Sequence, residues 1–156
     1  MPARNSTGLR CDRQPARGRT EVKFVYLDSC AAIKLFKDEV ESDALEDWLV
    51  EQVPARQVTS YLSRTELPRG LHAVEADVQT HERARHWLQR CAHVALPASV
   101  FEQAGSLSPG TRLRSLDAIH VAAALSLGAA LASFVSYDKR LLAVASEHGL
   151  PVVSPS

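Results

Sequence analysis

From Phe24 onward, short runs rich in β-branched and aromatic residues alternate with longer segments whose apolar residues recur every three or four positions. Few patterns constrain a fold more. Strands joined by helices pair parallel, and right-handed crossovers bury such a sheet between layers of helix. Phe24-Val25-Tyr26-Leu27 has the unbroken apolar character of a strand buried on both faces. Gln57-Val58-Thr59, Val94-Ala95-Leu96, Ser133-Phe134-Val135 and Pro151-Val152-Val153 continue the series. The expectation is one three-layer α/β/α domain over residues 23–156, built on a central, mostly parallel twisted sheet.

Helix starts and stops fill the intervals. A helix is expected from Cys30 to Phe36. Ser42 is placed to cap a second, with Ala44, Leu45, Trp48 and Leu49 on one stripe and Pro54 closing the segment. Ser60 is placed to cap a third, running to about Val74. Pro68 lies inside it and has no amide for the carbonyl of Arg64, which predicts a kink or break. Thr80 is the expected cap of a helix carrying Ala84, Trp87, Leu88 and Cys91, and a short helix spans Pro97 to Ala104. Ser108-Pro109-Gly110 reads as a turn, and Ser115 as the cap of a helix reaching Leu127, ended by Gly128. Asp138 opens the last helix, Lys139 to His148, and Gly149 closes it.

The chain has 156 residues, 46% of them apolar, with 18 basic and 18 acidic side chains. That balance does not suggest a protein holding nucleic acid by bulk charge alone, while a local basic face can still steer it. Charge is concentrated at the start, where Arg4, Arg10, Arg13, Arg17, Arg19 and Lys23 face only Asp12 and Glu21. With Pro2, Gly8, Pro15 and Gly18 interrupting it, residues 1–22 read as a disordered basic tail or a basic arm for nucleic acid. Cys11, Cys30 and Cys91 form no C-x-x-C pair, which points to free thiols in a reducing cytoplasm. No apolar run approaches the roughly 20 residues of a membrane span, and the arginine-rich start lacks a signal peptide's apolar stretch.

Four carboxylates carry the chemistry. Asp28 and Asp138 each lie just past an expected strand where a helix begins, the edge at which open parallel sheets bind ligands. Asp117 falls in the first turn of its helix, and Glu66 one to two turns into another. Ser29, Ser60 and Ser136 add hydroxyls along the same rim. Taken singly, an Asp at a helix start satisfies free amides, worth roughly 0.5–2 kcal/mol, and needs no further role. Four that converge would repel one another and raise their pKa values. The remedy is a divalent cation with oxygen ligands, Mg²⁺ or Mn²⁺, which can activate water and stabilise an in-line phosphoryl displacement. A haloacid-dehalogenase-type phosphatase would place a second Asp where Cys30 stands. A receiver domain would need an acidic pair and a late lysine that are not evident.

Phe24 to Val153 resembles a PIN-domain ribonuclease, most closely the toxin of a bacterial VapBC-type toxin–antitoxin pair. The motifs are Val25-Tyr26-Leu27-Asp28-Ser29-Cys30-Ala31 and the segment from Thr59-Ser60 through Glu66-Leu67-Pro68-Arg69-Gly70. Leu113-Arg114-Ser115-Leu116-Asp117-Ala118-Ile119-His120-Val121-Ala122 and Phe134-Val135-Ser136-Tyr137-Asp138-Lys139-Arg140-Leu141 complete the set. Each motif is weak alone, and the four in order are specific. The resemblance implies a PIN-like fold and cleavage of RNA dependent on Mg²⁺ or Mn²⁺. It implies Asp28, Glu66, Asp117 and Asp138 as the catalytic acids, the three aspartates as metal ligands and Ser136 as a supporting hydroxyl. It further implies a cognate antitoxin and a homodimer within the toxin–antitoxin complex. Alternative functions are a catalytically weak partner in a DNA-binding repressor complex, or another acid-rich metal-dependent phosphohydrolase.

The remaining polar residues are less specific. His120 follows Asp117 by one helical turn, as a packed histidine or as a support for Asp117. His72, His93 and His148 look isolated, and His81 and His86 are five apart, poorly spaced for one helical face. Arg112 and Arg114, with Lys139 and Arg140, can contact RNA phosphates, pair with a partner's acids or remain solvated. Leu35, Phe36 and Trp48 offer apolar surface on the early helices for an antitoxin segment that places a basic side chain among the acids.

Overall fold

The computed structural model describes residues 21–107 and 113–156. Strands β1 (Phe24–Leu27), β2 (Arg56–Ser60), β3 (Ala92–Val94), β4 (Leu131–Val135) and β5 (Val152–Val153) pair parallel throughout, in the order β3-β2-β1-β4-β5. Helices α1 (Ser29–Lys34), α2 (Ser42–Glu51), α3 (Ser63–Ala73) and α4 (Val78–Arg90) connect the first three strands. Helices α5 (Ala98–Ser106) and α6 (Ser115–Leu125) lead back to β4, and α7 (Lys139–Glu147) joins β4 to β5. Strand order runs outward from β1 in one direction and then in the other, so crossovers of one hand deposit helices on opposite faces.

Burial confirms the three layers. On one face Tyr26, Val58, Val94 and Phe134 pack against Val100 and Ala104 of α5, Val121 and Ala122 of α6, and Leu141 of α7. On the other, Val25, Leu27 and Val135 meet Ala31, Leu45 and Leu49, while Leu67, Leu71, Ala84 and Leu88 join α3 to α4. The alternation along β1, Tyr26 one way and Val25 and Leu27 the other, is the period of a strand covered on both sides.

One irregularity sets the register at the centre. Phe24 pairs with Leu131 but Val25 pairs with Ser133, so Ala132 is an extra residue in β4. Beyond this bulge Tyr26 lies beside Phe134 and Leu27 beside Val135. The next pair along is therefore Asp28 and Ser136, and the Asp28 amide donates to the Val135 carbonyl at 3.3 Å. Were Ala132 instead paired with Val25 in an unbulged ladder, the residue opposite Asp28 would be Val135.

Several helix starts differ from expectation, some because another group takes the amides and some because no side chain caps them. Asp77 accepts from the Thr80 amide at 2.7 Å and caps α4, leaving Thr80 as the capped residue. Ser42 is the first residue of α2 and turns backward, donating to the Lys37 carbonyl and accepting from the Glu39 amide. Ser115 likewise opens α6, with Arg114 at the cap position and no side-chain cap. Ser60 accepts from the Leu62 amide, and the helix proper starts at Ser63. α3 runs unbroken through Pro68, because the fully buried Leu67 and Leu71 fix it on both sides of the missing bond. α1 ends at Lys34 rather than Phe36, β3 precedes the expected run, and α6 stops at Leu125 before a 3₁₀ turn at Gly128–Ala130. Asp138 and Gly149 act as expected: Asp138 caps α7, and Gly149 follows it at φ +81°. The Ser108-Pro109-Gly110 turn and residues 1–20 of the tail lie outside the described residues.

Phe134 stacks on Tyr26 at 5.3 Å between ring centroids, and both are fully buried. Phe134→Ala is expected to destabilise the fold by about 3–5 kcal/mol. Denaturant unfolding checks this, and a loss under about 1 kcal/mol would contradict the packing described.

Candidate active site

The carboxyl ends of β1 and β4 meet where the strand order reverses, and all four acids are placed around that edge. Asp28, directly after β1, is 2% exposed. Its Oδ1 accepts from the Ala31 amide at 2.7 Å, capping α1, and its Oδ2 accepts from the Ser136 hydroxyl at 2.6 Å. Ser136 Oγ in turn accepts from the Asp138 amide at 3.1 Å. Asp138 Oδ1 accepts from the amides of Arg140 and Leu141. Capping and ligation are thus compatible: the amides fix each carboxylate, and each keeps at least one oxygen with lone pairs to spare, Oδ2 in the case of Asp138.

Asp117, half-buried in the first turn of α6, faces the same space. Burial raises its pKa, as does the charge of Asp138, against the opposing influence of His120 and Arg114. Burial likewise pushes the Asp28 carboxyl up to about 6, with Asp117 adding to the rise while His120, Ser136 and Ala31 resist it. Burial and then the charge of Asp28, with a smaller contribution from Asp138, push the Cys30 thiol up to about 11. Among the described residues, no lysine or arginine forms an ion pair with any of the three aspartates.

Glu66 is held differently. Its Oε2 lies 2.7 Å from His120 Nε2, and His120 Nδ1 lies 2.7 Å from the Tyr26 hydroxyl. Burial opposes ionisation of Glu66, but the His120 hydrogen bond and charge, with Ser29, outweigh it and lower the pKa. Burial also keeps Tyr26 protonated. A neutral imidazole satisfies every atom, with Tyr26 O–H donating to Nδ1 and Nε2–H donating to Glu66. His120 therefore serves Glu66 by direct contact, whereas the sequence places it nearest Asp117. Tyr26 is missed by sequence reasoning, because a tyrosine within an apolar strand reads as core.

Of the other site candidates, Ser29 reaches Glu66 and Ser136 reaches Asp28. Arg114 is exposed at the start of α6, and Arg112 lies outside the described residues. Among the described residues no three His, Cys, Asp or Glu side chains form a ready-made cation cage. The donor set still suits a hard cation: it is all oxygen, its aspartates repel one another, and Mg²⁺ keeps several waters on one or two carboxylates.

A family model described as PIN domain matches residues 25–147, most of the chain and all four acids. The chain belongs to the PIN-domain family. Within it, the chain is 39% identical to ribonuclease VapC35 of Mycobacterium tuberculosis over 134 residues, 85% of this chain and 97% of that protein. Among solved PIN folds it is similar to M. tuberculosis VapC20, a toxin that cleaves the sarcin–ricin loop. The TM-score is 0.64 at 16% identity, covering 81% of this chain and 95% of that one. It is also similar to FitAB bound to a DNA fragment, with TM-score 0.61 at 16% identity and 84% and 94% covered.

The raised Asp28 pKa makes a stability prediction. The carboxyl titrates near 3.8 when unfolded and at about 6 when folded, so the fold binds the proton more tightly than the unfolded chain. Stability falls as the pH rises through that window, and above it the deficit is complete, on the order of 3 kcal/mol. Asp28→Asn removes the charge and keeps the acceptor for Ala31. In chelator at neutral pH it is expected to melt higher than the wild type, with the difference vanishing toward the acid end of the window. A lower melting temperature at neutral pH would contradict the assigned burial cost.

Proposed function

We propose that this chain is the toxin of a cytoplasmic toxin–antitoxin pair and an endoribonuclease that depends on Mg²⁺ or Mn²⁺. The observation that carries the reading is the buried, amide-anchored Asp28 with Asp117 acting on it and, among the described residues, no lysine or arginine in an ion pair with either. Asp28, Asp117 and Asp138 would hold the ion. Bound there, a divalent cation supplies positive charge against the phosphodiester and favours deprotonation of the attacking water.

The chain's own groups do the rest. Glu66, ionised at neutral pH and oriented by His120, accepts the proton from water as its oxygen bonds to phosphorus. The bridging P–O bond to the leaving ribose breaks, and that oxygen takes a proton from solvent. Ser136 and the Ala31 amide keep Asp28 from rotating, and Ser29 does the same for Glu66. Arg114, exposed beside Asp117, contacts a backbone phosphate of the RNA and sets its register.

An antitoxin partner fits the opposite side of the early helices. A groove of about 540 Å³ between α2 and α4 is lined by Phe36, Leu49, Val53 and Trp87, with Arg56, Arg83 and Arg90 around it. Leu35 and Phe36 line the adjoining apolar surface, and Leu35 and Trp48, both half-buried, also pack against the Val25–Leu27 core. An amphipathic segment with acidic flanks suits that lining.

RNA cleavage is expected with Mn²⁺ or Mg²⁺ and to stop with EDTA. Asp28→Asn and Asp117→Asn should each lower the rate by at least about a hundredfold without unfolding the protein. Glu66→Gln should behave alike, and Asp138→Asn should cost less, since α7 occupies one of its oxygens. Measuring initial rates on a labelled RNA beside circular dichroism decides it; undiminished cleavage by folded Asp28→Asn sinks the metal assignment.

A further inference from the structure

Outside the acidic cleft, the α3–α4 hairpin holds two histidines that the proposed reaction does not use. His72 lies in the last turn of α3 and His81 near the start of α4. Across the turn between them their imidazole rings approach to 4.3 Å between centroids, with 37° between the planes. His72 is exposed and His81 half-buried, so the pair opens to solvent. The sequence gives no hint of it, because nine positions and a helix reversal separate the two residues.

We propose that His72 and His81 form a binding site for a borderline transition metal ion, Zn²⁺ or Ni²⁺, that staples α3 to α4. Zn–N bonds of about 2.0–2.1 Å in tetrahedral geometry span donor atoms a little over 3 Å apart. Rings this close reach that separation by side-chain rotation alone. The scaffold beneath them is already fixed: Leu71 of α3 is fully buried, Ala84 and Leu88 of α4 pack against it, and Asp77 caps α4 at Thr80. Little backbone order is therefore lost on binding. His72 sits at the carbonyl end of α3 and His81 interacts with the charge of Asp77, both of which favour a cation, while Arg83, which also acts on Asp77, opposes one. Among the described residues no third ligand completes a protein cage, so water fills the remaining positions.

This centre differs in kind from the acidic cleft. Imidazole nitrogen favours Zn²⁺ and Ni²⁺, whereas an all-carboxylate set favours Mg²⁺ and Mn²⁺. The two sites therefore sort metals by ligand hardness. Because α3 also carries Glu66, an ion on the hairpin braces the helix that positions that acid.

Calorimetric titration of Zn²⁺ into the full chain, with Mg²⁺ in excess, tests the site. The comparison uses His72→Gln, His81→Gln and the control His86→Gln, a histidine farther along α4. Both His72→Gln and His81→Gln are expected to weaken Zn²⁺ at least about tenfold, and His86→Gln to leave it unchanged. Saturating Zn²⁺ should also raise the melting temperature of the wild type and of His86→Gln but of neither pair variant. No Zn²⁺ binding to the wild type overturns the proposal. So does binding that survives either pair substitution, since the ion would then lie elsewhere, the acidic cleft included. Cleavage of RNA with Mg²⁺ is a separate readout, so loss of one reading leaves the other standing.

Discussion

The pairing register between β1 and β4 is the constraint on which the rest of the molecule depends. Side chains on a strand alternate faces, so a slip of one residue would exchange every buried position of β4 for its opposite. The bulge at Ala132 fixes the register, and two consequences follow from that single extra residue. Phe134 lands beside Tyr26 and closes one layer of the core, and Ser136 lands beside Asp28 and closes the floor of the cleft. Core and site are set by the same geometry. That coupling explains how a carboxylate can be 2% exposed and still held in one orientation.

Holding Asp28 there is costly. Burial drives its pKa to about 6, and the neighbouring Asp117 raises it further. A protein optimised only for stability would place an amide or an apolar residue at this position. The local hydrogen bonds from Ala31 and Ser136 reduce the penalty without removing it. On the function proposed above, what the remaining repulsion gains is affinity: charge that the fold leaves uncompensated is charge that an incoming cation would neutralise. Consistent with this, among the described residues no arginine or lysine forms an ion pair with the aspartates.

The sequence made the layers, the strand sites and the four acids legible, because each depends on local pattern. Val25 and Leu27 in their apolar run, Asp28 and Asp138 at strand-to-helix junctions, and Gly149 after α7 all follow from residues close by in the chain. Helix caps were legible only where one candidate stood alone. Where two competed, as with Asp77 and Thr80, the stronger acceptor one turn earlier took the amides. What depends on tertiary approach was not legible. The Ala132 bulge has no turn residue to announce it. His120 meets Tyr26 and Glu66 across sequence separations of 94 and 54, and spacing along one helix pointed to Asp117 instead.

That last contact also explains why a histidine at a site of four acids stays buried. His120 is 1% exposed, and each ring nitrogen has one partner, so the imidazole leaves no polar atom unsatisfied. The chain Tyr26–His120–Glu66 joins β1, α6 and α3, elements from both faces of the sheet, through one line of hydrogen bonds. Replacing His120 by an apolar residue would strand the buried Tyr26 hydroxyl and free Glu66 to rotate. The damage would be double, to packing and to position. A glutamine can keep one bond but cannot span both partners at 2.7 Å, because its amide lacks the two opposed nitrogens of the ring. The acidic cleft thus needs this histidine for its reach across the sheet: Glu66 approaches from the α3 side, and only a rigid group anchored on β1 and α6 holds it over the strand ends.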